Sequence, residues 1–234
     1  MPALMLRRAD VIEGALNLLD EEGLDALTLR RLGERLGVRA SALYRHVPSK
    51  EALFDAMAEA VLEGVGDDLD GGDWAERFHC LAHRLRRALL AHRDGARLVA
   101  GTYVAGKNTL GAGEAAFSLL SAAGLPEKEA GWLTFAAFYY VLGHTIEEQA
   151  QARLPTDDDW QARLERSDTP LSAGFASALT AVRESDPAER FDYGIEILID
   201  GVRSRLTSSP RGGSSPTPRG AARSSASTAA RRGH

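Results

Sequence analysis

Apolar side chains recur along most of this chain at the three- and four-residue spacing of an amphipathic helix, while the strict alternation of a half-buried strand is nearly absent. Val11, Ile12, Ala15, Leu16 and Leu19 make one stripe, ended by Glu21-Glu22-Gly23. Leu29, Leu32 and Leu36 make a second, opened by Thr28 and closed by Gly37. Val38 leads into a third short segment with Ala42, Leu43 and Val47 as its apolar positions, and Pro48-Ser49 breaks it. Ser49 suits the N-cap of a longer helix through Leu53, Phe54, Met57 and Val61, because its hydroxyl can accept an otherwise unpaired backbone N–H. Beyond a loop at 64–73, the pattern predicts helices over 74–91, 108–123, 126–151, 171–183 and 189–206, with a shorter piece near 93–99. Residues 154–170, with Asp157-Asp158-Asp159, read as a long exposed connection. The expected fold class is all-α: three short helices, then a larger bundle.

Composition bounds this picture. The chain has 234 residues, 44% of them hydrophobic and 26% charged, which suits a small domain joined to a larger one. No run approaches the ~20 apolar residues of a membrane span. The N-terminus lacks the pattern of a secretory signal, and the lone Cys80 cannot form an internal disulfide; both fit a cytoplasmic protein.

Charge changes the picture more. The formal net charge of -5 argues by itself against a polyanionic partner. Resolved by segment, residues 27–50 carry +5, residues 51–207 carry -11 and residues 208–234 carry +5. One small cationic region beside an acidic body is the arrangement expected where a protein meets phosphate at a single face. The tail at 208–234 has no Leu, Ile, Val or aromatic residue and is expected to be a disordered basic extension.

The two short helices joined at Leu36-Gly37-Val38 have the size and glycine placement of a helix-turn-helix. The second would start near Arg39 and expose Arg39, Ala40, Ser41, Tyr44 and Arg45, with Ala42 and Leu43 holding it to the core. Arginine can bond bidentately to guanine, and Ser, Tyr, His and Lys suit phosphates. Thr28, at a helix start, offers its hydroxyl and neighbouring N–H groups to a phosphate. The expected division is a DNA-binding domain at 1–50, a connecting helix at 51–66 and a larger helical domain at 67–207, to which the family resemblance described next assigns effector binding and dimerisation.

The run from Leu27 to Val38, followed by Ala42-Leu-Tyr44-Arg-His46-Val-Pro-Ser-Lys50-Glu-Ala-Leu-Phe54, resembles the DNA-binding domain of the TetR family of repressors. By this resemblance Thr28, Tyr44, His46 and Lys50 would meet phosphates, and Arg30, Arg39, Ala40, Ser41 and Arg45 would be candidates for base readout. Ala91-His-Arg-Asp-Gly-Ala-Arg97, Gly101-Thr102 and Ile146-Glu-Glu-Gln149 are similar to stretches of the ligand domain in the tetracycline repressor subgroup. The resemblance implies a double-stranded DNA operator, a small-molecule effector and a homodimer built from the last two long helices, with no membrane, no catalytic residue and no resident cofactor. That subgroup binds a drug–magnesium chelate through a histidine whose position is Val99 here, although Thr102 and Glu147 are retained. An apolar or aromatic effector is expected instead, in a lining drawn from Leu81, Leu85, Val99, Thr102, Phe117, Phe135, Phe138, Tyr139 and Glu147.

Two other constellations invite chemistry. His79 and His83 sit one helical turn apart, but no third ligand is evident nearby in the sequence, so the pair reads as incidental rather than metal-binding. His144, Glu147 and Glu148 lack the second carboxylate–histidine set of a dimetal bundle, which leaves a pocket or interface role. The rival readings are an all-α metal-dependent enzyme using these residues, and a DNA binder without an effector.

Overall fold

The computed structural model describes residues 6–103, 105–154, 162, 166–167 and 169–208, and every regular element among them is helical. All but the first residue of the expected basic tail at 208–234 and most of the connection at 154–170 lie outside the described residues. Four helices form and support the N-terminal head: α1 (Arg8–Glu22), α2 (Leu29–Arg35), α3 (Ala40–Leu43) and α4 (Lys50–Val61). The body holds α5 (Trp74–Leu90), α6 (Gly95–Ala100), α7 (Lys107–Ala122), α8 (Glu127–Gln151), α9 (Ala173–Glu184) and α10 (Pro187–Ser208).

The head closes on the apolar positions of the sequence pattern: Val11, Ala15, Leu19, Leu32, Leu43 and Leu53 are wholly buried. The starts of α2 and α4 have a local cause. The Thr28 hydroxyl accepts the Arg31 N–H at 3.2 Å, and the Ser49 hydroxyl accepts the Ala52 N–H at 3.1 Å. The turn between α2 and α3 depends on two glycines. Gly37 sits at φ +68°, a conformation that costs an L side chain energy. Gly33 lies against the turn so closely that a Cβ there would stand 2.9 Å from the Val38 carbonyl oxygen and 3.1 Å from the Ala40 nitrogen. Gly37 is the glycine that the motif announces; Gly33 is the one that lets the two helices pack.

In the body, Asp73 and Glu76 open α5 reciprocally: Asp73 accepts the Ala75 and Glu76 N–H groups, and Glu76 accepts the Asp73 N–H. Helix α5 packs against α6, α7, α8 and α10, which makes it the central rod. Phe191 of α10 is completely buried and stacks on Tyr140, with His83 and His144 edge-on to it. Beside it, Arg86 reaches Glu148 with two hydrogen bonds of 2.9 and 2.6 Å, satisfying a charge that burial would otherwise penalise. Among the described residues, no helix is long and apolar enough to cross a membrane.

Candidate nucleic-acid interface and cavity

The cationic segment separates into two groups once folded. Arg31 is paired to Glu22 at 2.7 Å and Arg35 to Glu21, so these two cations face back onto the end of α1. Arg30 only approaches Glu34, at 3.9 Å, and its side chain is exposed. Among the described residues, no carboxylate pairs with Arg39, Arg45 or Lys50, and all three are exposed. Arg39 is the N-cap of α3, Ser41 and Tyr44 stand exposed on the same short segment, and Ala40 and His46 are half-buried against it. Lys50 begins α4 with its ammonium 4.9 Å from the centre of the Phe54 ring. The Thr28 hydroxyl accepts the Arg31 N–H through one lone pair, and among the described residues its proton meets no acceptor. The nine sequence-named candidates thus occupy the α2–α3–α4 side of the head.

The body encloses a cavity of about 410 Å³, within the roughly 300–1,000 Å³ usual for small-molecule sites. Leu81, Leu85, Phe117, Phe135 and Phe138 line it, as expected from the sequence. Four other expected lining residues do not. Val99 is buried in the packing of α6 against its neighbours, and the Thr102 hydroxyl donates to the Val99 carbonyl at 2.9 Å. Tyr139 points outward at 64% exposure, and Glu147 lines a separate groove with Tyr140 and His144. Helix α8 is apolar on nearly every side, so a residue one position along it turns from cavity to surface.

Sequence reasoning missed much of the wall, including Val65 in the turn after α4, Phe78 of α5 and Thr134 of α8. The wall offers few hydrogen bonds: Thr134 donates to Ala130 O at 2.9 Å, Thr109 donates to Glu59, and Glu114, the one charged lining residue among those described, accepts from the Ser118 hydroxyl at 3.0 Å. The Val99 side chain has no metal-binding lone pair, and the retained Thr102 and Glu147 lie away from the cavity, so this residue set does not fit a chelated magnesium ion.

Two polar joints tie cavity and head together. At the first, Glu59 of α4 accepts the N–H groups of Asn108 and Thr109 at 2.9 and 3.0 Å, capping α7 from outside. Burial works against this carboxylate, but the bonds from Thr109 and Asn108 outweigh it and hold its pKa below the ordinary value. Thr109 is also a wall residue of the cavity. At the second, Asp94 stands in a left-handed conformation ahead of α6, 3% exposed, and accepts the Leu24 N–H at 3.1 Å together with Arg97 and Arg153. Burial again opposes the charge, and Arg153 and the Leu24 N–H overcome it, so its pKa is also lowered. Arg97 continues to Asp25 at 3.1 Å, and the Arg93 N–H donates to Asp20 at 2.9 Å. Gln149 of α8 donates to the Leu89 and His92 carbonyls at 3.0 and 2.8 Å, fixing this corner to the long helix. His144, by contrast, is kept below its usual pKa chiefly by burial, despite Glu148 nearby.

Known proteins carry the same two parts. Residues 11–57 match the family described as bacterial regulatory proteins, tetR family, and residues 67–206 match the tetracyclin repressor-like C-terminal domain. The tetracycline repressor protein class C of Escherichia coli is 38% identical over 206 residues, covering 86% of this chain and 93% of the relative. A possible TetR family transcriptional regulator from Streptomyces coelicolor A3(2) superposes with a TM-score of 0.76 at 38% identity, over 85% of this chain and 99% of that one. A TetR variant from Acinetobacter baumannii AYE, solved in complex with minocycline, gives 0.68 at 34% identity, over 87% and 100%. A BioQ structure solved with its double-stranded DNA operator gives 0.64 at 29% identity, over 85% and 98%. With both halves matched and this identity over most of its length, the chain belongs to the TetR family of transcriptional repressors.

Proposed function

We propose that this repressor binds a palindromic operator as a homodimer and lets go when an apolar or aromatic small molecule fills the body cavity. Residues 1–50 would be the reading head, 51–66 the connecting helix, and 67–207 the effector-binding and dimerisation unit. The observation that carries this reading is the pairing of an uncompensated cationic face with an apolar cavity one residue from α4, through Glu59 and Thr109. Arg39, Ser41 and Arg45 would read base edges with Arg30 and Ala40 beside them, while Thr28, Tyr44, His46 and Lys50 would hold phosphates. A dimer fits the surface: Trp132, Phe135 and Tyr139 on α8, with Tyr193 and Ile197 on α10, form apolar stripes more than half exposed in the single chain. The two-fold axis of such a dimer demands two half-sites.

Release follows from linkage. A ligand that fits the cavity better when α7 shifts would move α4 through the Glu59 cap and change the separation of the two heads. Relatives solved with minocycline and with operator DNA support both binding modes. Footprinting of purified protein on DNA flanking its own gene tests the reading. A protected inverted repeat is expected, weakened by Arg45→Ala and released by a hydrophobic aromatic compound that quenches Trp fluorescence. Equal binding to random DNA, or an unchanged footprint in Arg45→Ala, overturns it.

A further inference from the structure

The sequence leaves His79 and His83 without a third ligand, and the fold supplies one from 109 residues away. Asp192 of α10 places Oδ1 at 2.5 Å from His83 Nε2 and 3.6 Å from His79 Nε2. The two imidazoles lie one turn apart on α5, their ring centres 4.4 Å from each other, and all three donor atoms fall within 4.8 Å. A hydrogen bond accounts for His83 alone. The second imidazole points its Nε2 at the same carboxylate oxygen from beyond hydrogen-bonding range, and that convergence is what a shared cation would use.

We propose that His79, His83 and Asp192 form a binding site for a divalent transition metal of the zinc class, bridging α5 to α10. In a tetrahedral zinc site with bonds of about 2.0–2.1 Å, the donor atoms stand roughly 3.3 Å apart. The His79–Asp192 separation is already near that value, and the His83–Asp192 contact needs to open by less than about 1 Å. Phe191 packs edge-on against the His83 ring at 5.1 Å and restricts its rotation. Next to the cluster, His79 shares a groove of about 460 Å³ with Glu76, Glu196 and Asp200, whose carboxylates raise the local cation concentration and leave an oxygen or water for the fourth position. Arg203 also lines that groove and limits its negative potential. Two imidazoles with one carboxylate favour Zn²⁺, Ni²⁺ or Co²⁺ over Mg²⁺ or Ca²⁺, which take all-oxygen shells. Because α5 also carries Leu81 and Leu85 in the effector cavity, an ion here would stiffen the rod on which that cavity is built.

The test uses the full chain, stripped of metal with a chelator and then dialysed. Co²⁺ is titrated as a spectroscopic probe, and Zn²⁺ is added to displace it. One equivalent of Co²⁺ per chain is expected, with the strong visible absorption of tetrahedral coordination, lost on adding Zn²⁺ and absent with Mg²⁺. His79→Ala leaves the His83–Asp192 hydrogen bond intact, so it is the variant least able to disturb the fold. It should weaken Co²⁺ binding at least about tenfold while its far-UV circular dichroism matches the parent. Asp192→Asn should do the same. Weak substoichiometric binding, octahedral-type faint absorption, or unchanged affinity in a folded His79→Ala protein overturns the proposal. DNA binding is not read in this experiment, so its outcome is independent of the repressor reading.

Discussion

Two clusters of arginine in this molecule face opposite fates. On the proposed reading face, Arg30, Arg39 and Arg45 stand in solvent with at most a distant carboxylate, and Lys50 stands exposed with them. At the seam between head and body, Arg93, Arg97 and Arg153 each end on an acceptor: the Glu21 carbonyl, Asp25 and Asp94 together, and Asp94. The guanidinium chemistry is the same; the difference lies in who completes it. An exposed cation without a partner gains most from a polyanion and the counterions that it releases. A cation completed within the chain instead makes two parts of the protein move together. In the proposed reading the head thus keeps its charge for DNA, while the seam uses its charge for contacts between head and body.

The harshest way to break this contrast changes no charge at all. Gly33→Ala puts a methyl group against the Val38 carbonyl oxygen and the Ala40 nitrogen, backbone atoms that cannot step aside. Overpacking of this kind costs about 1–3 kcal/mol and pries α3 from α2, so the cations lose their register. Operator affinity is expected to fall about 100-fold or more, with a lower thermal midpoint for the head, as gel shift and calorimetry would record. Undiminished affinity would mean that register does not matter and that only net charge binds DNA.

Next in size is a matched pair. Arg45→Ala on the face should weaken operator binding about 5- to 150-fold, the range for losing one base-directed contact. Arg97→Ala at the seam should leave ligand-free operator affinity within about threefold while blunting release by the effector, since it cuts Asp25 from Asp94. Equal losses from both variants would erase the distinction between the two clusters.

What could be read in the chain beforehand divides along the same line. The head was legible because its signals are local: Thr28 and Ser49 cap the helices that follow them, Gly37 marks the turn, and the leucines keep helical period. The seam was not, since Asp94 meets Leu24 and Arg153 across 70 and 59 residues, and nothing near Asp94 announces either. Only its left-handed conformation is a local oddity, and that appears with the structure. The cavity was half legible. Phe135 and Phe138 belong to it while Tyr139 does not, a difference of one step on a helix whose apolar residues run all the way round. Val99 and Thr102 were placed by likeness to a chelate-binding pocket, whereas α6 here packs as structure.

Asp94→Asn tests the seam through stability. Asparagine tolerates the left-handed backbone, so the change removes the charge and little else. Leaving Arg153 and the Leu24 N–H less well satisfied should cost about 1–3 kcal/mol at neutral pH. The sign of its pH dependence follows from the lowered pKa of Asp94. Its contribution is complete above the ordinary aspartate value near 4 and is lost as pH falls through the lower folded value. The gap in thermal midpoint between parent and variant should therefore narrow on acidification below about pH 4. A gap that stays constant down to pH 3 would assign the effect to packing rather than charge.

The smallest expected effect probes the boundary between the two clusters. Arg31 and Arg35 belong to the head's cationic segment but are tied to Glu22 and Glu21, as the seam arginines are tied to their acceptors. Glu21→Gln removes the charge that neutralises Arg35 and leaves one net positive charge near the proposed reading face. Exposed ion pairs hold their partners weakly, so the fold should not notice. Nonspecific DNA binding at low salt should rise about twofold, and the plot of log affinity against log salt should steepen by no more than about 0.9, the worth of one added phosphate contact. A change of slope would make the acids of α1 a brake that sets how many cations the head presents. An unchanged slope would confine the DNA-facing charge to Arg30, Arg39, Arg45 and Lys50.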